Sequence, residues 1–370
     1  MSRDEDQSKD DDRAQDLDAL RQEIDEIDER LVETLSRRAD VVVRVGRTKQ
    51  QDGTPIYAPD REKRVLERVL GRNTGPLSDR TIEAIYRELM SGSFSLELPL
   101  RIGYLGPPGS FSHAAAVRYF GSSVELAELG QIEMVFEEVA SQRAHYGLVP
   151  YENSIGGSVT DALDGFRQYD VSVYAEALIE VNQSLLANCP PDEIKRIYSK
   201  PEAFSQCRHW LTQRFPGIEL VPKASTSLAV ESAAREEGTA AVGSPFAGEI
   251  YGVNLLFERI ADKANNITRF LVLSRESARP TGEDKTSVMF TTVDEPGALV
   301  DVLVEFRRAG VNLSHIDKRP SGRENWDYTF FIDAEGHRED ERVIKAIEGA
   351  RKHCVDLKVL GSYPRAQRVL

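Results

Sequence analysis

Six consecutive residues, Asn265-Asn266-Ile267-Thr268-Arg269-Phe270, set two amides, a hydroxyl and a guanidinium at the entrance of the apolar run Leu271-Val272-Leu273. The run reads as a buried strand of β-branched and aliphatic residues, so the polar groups at its start need partners. Arg269 offers a planar fork of donors suited to a carboxylate, and Thr268 beside it can donate or relay a proton to a bound group. Taken alone, the hexamer is equally well a strand that follows a polar loop.

A second set of reactive types falls on helical faces. From Leu17 to about Lys49 there is no Gly or Pro before Gly46, and Leu17, Leu20, Ile24, Ile27, Leu31 and Leu35 recur at helical spacing. The stripe continues through Arg38, Val41, Val42, Val45 and Lys49, which puts two cations on a core face. Pro59 opens a second helix, with Arg61 and Glu62 one turn before Val65 and Leu66. Ser78 caps a third, whose stripe of Ile82, Ile85, Tyr86 and Leu89 runs on to Ser93 and Glu97. A bundle that turns these charges inward must hold an anion or a matched network. At 1.5 Å per residue the first helix spans roughly 50 Å, too long to be covered by two short helices, so a dimer of helices is expected.

The elements that must position these residues follow from the totals. With 370 residues and 40% apolar content, a prior of roughly 150 residues per domain gives two or three cores. A formal charge of −14 argues against nucleic acid or an acidic membrane surface as the main partner. Cys189, Cys207 and Cys354 are far apart and odd in number, which excludes a disulfide framework and fits reduced thiols in cytoplasm. Six scattered His residues give no ligand spacing, so no metal is expected. Residues 1–16 read as a disordered acidic tail without an apolar signal region, and no run of 18 apolar residues follows.

After Pro99, strand and helix signals alternate. Arg101-Ile102-Gly103-Tyr104-Leu105 runs into the turn Gly106 to Ser112, Val149-Pro150 ends a strand before a loop through Ser158, and Ser199 and Gly243 each precede a helix. Such alternation means an α/β sheet, with ligands at strand ends and helix starts. The glycines at 103, 106 and 109 do not make G-x-G-x-x-G, which removes the nicotinamide fingerprint. Residues 275–285 read as a linker, and beyond them the order is β-α-β-β-α-β, the ferredoxin-like arrangement.

The helical third resembles the all-helical chorismate mutase family, in which paired three-helix chains hold a dicarboxylate inside the bundle. The matching positions are Arg21, given to the partner's site, with Arg38, Lys49, Arg61, Glu62, Ser93 and Glu97. The resemblance implies that Arg21, Arg38 and Arg61 hold carboxylates while Lys49 and Glu97 address the ether oxygen of chorismate. Ala58 stands where many relatives carry Asp, and Glu97 where the best-known members carry Gln. An ionised carboxylate cannot donate to an ether oxygen, so Glu97 would act protonated, with mutase activity falling as pH rises.

Segments across 101–275 resemble the prephenate dehydratase family: Gly106 to Phe111, Val149 to Ser154, Ser199 to Cys207, Gly243 to Gly252, and Thr268-Arg269-Phe270, with Lys200 where relatives usually have His. The resemblance implies that Thr268 helps the leaving hydroxyl of prephenate and that Arg269 holds a carboxylate. It also implies a pocket lined by Glu152, Asn153, Ser154, Ser199, Gln206 and Phe270. Gly297-Ala298-Leu299, and Asn312-Leu313 leading to Asp317-Lys318-Arg319-Pro320, resemble the amino-acid-binding ACT domain, although relatives usually have Glu-Ser where Asp317-Lys318 stand. This implies L-phenylalanine as effector.

The expected architecture is therefore multidomain. An all-α mutase bundle (17–98) precedes a two-lobed α/β dehydratase of the periplasmic-binding-protein kind (101–275) and an α+β ferredoxin-like ACT domain (286–362). The expected protein is a cytoplasmic homodimer or larger assembly that acts on chorismate and prephenate without a cofactor. The rivals are a dehydratase with a catalytically dead helical dimerisation domain, which Ala58 favours, and a non-catalytic two-lobed sensor.

Overall fold

The computed structural model describes residues 2–52, 56–321 and 328–370. They form two compact units, Met1–Ile56 with Ser93–Pro99, and Tyr57–Gly92 with Leu100–Leu370. Three helices open the chain: α1 (Ser2–Asp52), α2 (Pro59–Leu70) and α3 (Asp79–Glu97).

In the first unit α1 begins far ahead of Leu17, so the stretch expected as a disordered tail through residue 16 has helical backbone from Ser2. No Gly or Pro interrupts the sequence from Ser2 to Val45, so once nucleated the helix has no reason to stop. The stripe of Leu17, Leu20, Ile24, Ile27 and Leu31 is about half exposed along its length. Gly46 marks the crossing with α3, since a Cβ there would lie 2.9 Å from the Glu97 Cα.

The second unit contains α2 and most of α3, whose first turn is capped by Ser78 Oγ accepting from the Thr81 amide at 3.2 Å. Two α/β lobes follow. The first comprises β1 (Arg101–Leu105), α4 (Phe111–Phe120), β2 (Glu125–Leu129), α5 (Ile132–Ala140), β3 (Tyr146–Asn153), β4 (Gly157–Ser158), α6 (Thr160–Gln168) and β5 (Ser172–Glu180). The second runs through β6 (Ser184–Ala187), β7 (Arg196–Ser199), α7 (Pro201–Gln206), α8 (Arg208–Arg214), β8 (Glu219–Pro222), α9 (Thr226–Arg235), β9 (Thr239–Gly243), α10 (Pro245–Tyr251) and β10 (Leu255–Phe257). The chain then returns to the first lobe as β11 (Ile267–Ser274).

The first sheet has the order β2-β1-β3-β11-β5 and the second β10-β6-β9-β7-β8. Central β11 is antiparallel to both β3 and β5, and Thr268 to Ser274 are all buried, as an internal strand requires. The chain passes between lobes only at β5–β6 and β10–β11, and Thr268 stands immediately after the second crossing.

The last domain is β12 (Asp284–Thr291), α11 (Ala298–Arg308), β13 (Leu313–Pro320), β14 (Tyr328–Glu335), α12 (Glu341–Arg351) and β15 (Asp356–Pro364), with sheet order β13-β14-β12-β15. One face of that sheet packs Val288, Phe290 and Ile332 against Val302, Phe306 and Ile347 of the two helices. From the other face Phe331, Leu360 and Tyr363 join the core of the first lobe with Phe136, Tyr151 and Leu271. Gly361 permits this close approach, because a Cβ there would collide with the Val173 backbone of β5. Among the described residues no helix is long and apolar enough to cross a membrane.

Candidate active sites

Thr268 pairs with Asn153 of β3 across the ladder, and Asn153 Nδ2 donates to Thr268 Oγ1 at 2.9 Å. The same amide donates to Asn266 Oδ1 at 2.7 Å, while Asn153 Oδ1 accepts from the backbone of Ile155 and Gly156 at 3.0 and 2.8 Å. Asn153 is therefore fixed in orientation and presents only donors to the threonine. Ser154 is committed to backbone, donating to Asn265 O at 3.2 Å and accepting from Ile267 N at 3.0 Å.

The network continues into the second lobe. Gln206 Oε1 accepts from Gln183 Nε2 at 3.2 Å and, at 3.5 Å, from Asn266 Nδ2. Gln183 Oε1 and Ser184 Oγ are buried with no hydrogen-bond partner among the described residues. Such groups are costly unless a ligand or water completes them, and they stand at the start of β6, beside the interlobe crossing. Neither carries a motif, so only the sheet topology brings them to the seam. Ser199 lies in the second lobe with its hydroxyl turned to Val242 O at 2.7 Å, and Phe270 is buried in the core at 1% exposure. Across the mouth of the seam the Gly106–Ser110 turn is tied to the second lobe. Tyr251 donates to Pro108 O at 3.0 Å and Ser244 Oγ to Gly109 O at 3.1 Å.

Arg269 points the other way, as the residue after Thr268 on a strand must. Its guanidinium donates to Glu176 Oε2 at 2.7 Å, Asp333 Oδ2 at 2.5 Å and Tyr363 Oη at 2.8 Å, and lies over the Tyr151 ring. The fork of donors expected for a substrate carboxylate is here engaged by the internal carboxylates of a buried ion cluster. Glu152 shares that face, 3.7 Å from Arg269 and 3.5 Å from His315 Nδ1. The His315 hydrogen bond, acting against burial, holds the Glu152 carboxyl below its usual range. Burial opposes but does not prevent a similar lowering at Asp333, where Arg269 and the Ser287 hydroxyl stabilise the anion.

Among the helical residues of the first unit, Arg38 Nη1 donates to Ser93 Oγ at 2.6 Å, and Lys49 Nζ lies 2.8 Å from Glu97 Oε2 and 2.9 Å from Ile56 O. Arg21 is exposed beside Asp18. Arg61 and Glu62 belong to the second unit, where Arg61 is exposed. Glu62 lines a cavity of about 200 Å³ with Tyr57, Tyr119 and Arg87. Burial pushes its carboxyl up to about 7, against the pull of Arg87 and the Tyr57 hydroxyl. Ala58, the residue before α2, gives no side-chain cap.

Family models match these segments in order: chorismate mutase type II at residues 20–98, prephenate dehydratase at 102–278 and the ACT domain at 286–351. The bifunctional chorismate mutase/prephenate dehydratase of Aquifex aeolicus is 41% identical over 357 residues, covering 95% of this chain and 99% of its own. The chain belongs to the bifunctional chorismate mutase/prephenate dehydratase family. The Pseudomonas aeruginosa relative of the same description is 38% identical over 95% of this chain and 98% of its own. The structure of an Arthrobacter aurescens prephenate dehydratase in complex with L-Phe matches with a TM-score of 0.68 and 34% identity, over 72% of this chain and 90% of that one.

In the ACT domain Gly297, at a φ of 93°, turns the chain into α11, with Ala298 at its first position and Leu299 packed against the domain core. Asn312 O accepts from Glu335 N at 2.9 Å, and Leu313 begins β13 against the same core. Along β13 the expected effector motif alternates. Arg319 turns to the dehydratase lobe and donates from Nε to Asp164 Oδ1 of α6 at 3.1 Å, whereas Lys318 lies over the Tyr328 ring at 4.3 Å. Asp317 Oδ1 accepts from the Lys318 amide at 2.6 Å, and Pro320 ends the strand.

Proposed function

We propose that this bifunctional enzyme rearranges chorismate to prephenate within its helical segment and converts prephenate to phenylpyruvate at the interlobe seam. It would work as a cytoplasmic homodimer or larger assembly, with L-phenylalanine as feedback effector at the ACT domain. The observation that carries the reading is the Thr268 hydroxyl, buried at the crossing between lobes and already receiving a hydrogen bond from Asn153.

In the dehydratase step the ring carboxylate leaves as carbon dioxide. The electron pair of the broken C–C bond completes the aromatic ring and expels the ring hydroxyl, which takes up one proton to leave as water. Thr268 supplies that proton or relays it, since its oxygen is occupied as an acceptor and its O–H remains to donate. Gln183, Ser184 and Gln206 support the reading as polar groups at the seam that can address the substrate's oxygens. The mutase reaction is an intramolecular rearrangement, so positioning and fixed charge suffice. Arg38 would hold a carboxylate, with Lys49 and Glu97 at the breaking ether bond.

Purified protein given chorismate alone tests both halves. Phenylpyruvate formation is expected, with inhibition by millimolar-range phenylalanine. Persistence of chorismate while added prephenate is converted would make the helical segment a scaffold, with Ala58 the first suspect. Inertness toward both substrates across a wide pH range would defeat the assignment.

A further inference from the structure

We propose that Asp333, a residue of the ACT sheet, is a positioning residue for the dehydratase reaction, fixing Thr268 through Arg269. This rests on the reading of Thr268 as proton donor.

Thr268 and Arg269 are consecutive on β11, so whatever fixes one backbone position constrains the next. At this point the β3–β11 ladder is irregular: Arg269 pairs with Glu152, but Phe270 pairs with Pro150, leaving Tyr151 as the extra residue of a bulge. Bulges re-aim the strand beside them, and here Arg269 with Glu152 flanks the bulge and Thr268 with Asn153 is the next pair along. The Arg269 guanidinium covers the bulged Tyr151, with its carbon 5.1 Å from the ring centre. The device that sets the bulge is therefore the buried arginine.

What holds the arginine comes from two domains. Glu176 belongs to β5 of the dehydratase lobe, but Asp333 and Tyr363 belong to β14 and β15 of the ACT sheet. Lys285 Nζ, from β12 of the ACT sheet, lies 3.0 Å from Glu176 Oε1, so Arg269 and Lys285 share the buried carboxylates of Glu176 and Asp333, with the more exposed Glu152 3.7 Å from Arg269 at the edge. Glu176 and Asp333 have side-chain exposures of 1% and 0%, and Ser287 donates to the second Asp333 oxygen at 2.5 Å. Removing the Asp333 charge takes away one of the two buried carboxylates that hold Arg269, and the guanidinium must move or recruit another partner. Glu152, 3.7 Å away on β3, is the carboxylate placed to take it, which would pull on the strand that carries Asn153. The arginine beside Thr268 thus draws one of its two buried carboxylate partners from outside the dehydratase lobes, and the ACT sheet supplies it.

The test uses the full chain with prephenate. Thr268→Ala is the reference and should abolish dehydration. Asp333→Asn should lower dehydratase kcat about 10- to 100-fold, as sub-ångström misplacement of a catalytic group does, with KM changed less than about threefold. Asp333→Glu should recover part of that loss, and mutase activity on chorismate should be unchanged. Should Asp333→Asn not fold, Tyr363→Phe carries the test by removing one hydroxyl, with a smaller kcat loss expected at unchanged KM. A folded Asp333→Asn or Tyr363→Phe enzyme with wild-type kcat, beside an inactive Thr268→Ala, would reduce the cluster to a structural joint and overturn the proposal. An active Thr268→Ala enzyme would overturn the underlying assignment instead.

Discussion

Asn153 Nδ2 donates to the Thr268 hydroxyl oxygen across 2.9 Å, and this direction of donation leaves the threonine's own proton for a different acceptor. Asn153→Asp reverses it, because a carboxylate there would accept the Thr268 proton and draw it from the substrate. Dehydratase kcat should fall by about 10²-fold or more, the range of a lost acid–base contribution, with the mutase rate unaffected. Steady-state rates on prephenate and chorismate check this, and a kcat within twofold of wild type would refute it.

Lys49 already gives Glu97 a cation at 2.8 Å, so the carboxylate is an acceptor in this arrangement. An amide in its place could accept from Lys49 and donate to an ether oxygen at any pH. Glu97→Gln should therefore raise mutase kcat/KM at neutral pH and above, by about 10-fold for one hydrogen bond to a developing charge. Chorismate disappearance at neutral pH decides it, and an unchanged kcat/KM would remove the role.

The domain order and the place of Thr268 at the start of a buried strand were legible because they rest on local pattern: apolar spacing, turn residues and short motifs. The direction of Arg269 was not, although strand periodicity contains it. Reading Thr268-Arg269 as one chemical unit overlooks that consecutive strand residues face opposite sides of a sheet. Its carboxylate partners come from residues 176 and 333, a separation that no local pattern reports. Gln183 and Ser184 give no local signal for a related reason, being ordinary polar residues whose meaning lies in their burial beside a crossing about 80 residues upstream of β11. Charge alone points to a disordered start, whereas the backbone is helical where nothing breaks the helix.

Glu62 gives the second unit a pH dependence with a definite sign. Its carboxyl is raised from an ordinary 4.5 to about 7 by burial, so between these values the folded chain binds a proton that the unfolded chain does not. The stabilisation is present below the unfolded value and is lost as pH rises through about 7. Glu62→Gln, which mimics the protonated form, should melt progressively above the wild type as pH rises from 4.5 to about 7, keep a constant lead above that, and converge with the wild type below 4.5. Paired thermal melts across that range test this, and a difference independent of pH would exclude the glutamate as its source.

The exposed stripe on α1 bears on assembly. Leu20, Ile24, Ile27 and Leu31 are each at least half exposed along one helical face, an apolar band that a lone soluble helix has no reason to carry. A second copy offers a matching stripe, and burying each such side chain is worth about 1.5–3 kcal/mol. Replacing Leu20 and Ile27 together by Glu removes two of these contributions and sets like charges against each other. The dissociation constant of the proposed dimer should then rise by about 10²-fold or more. Sedimentation at micromolar protein measures it. Because Arg21 lies on the same helix and is the residue expected to reach a partner's mutase site, mutase activity should fall in step with dissociation, whereas prephenate turnover persists. An unaltered sedimentation profile would mean that this stripe does not join the subunits.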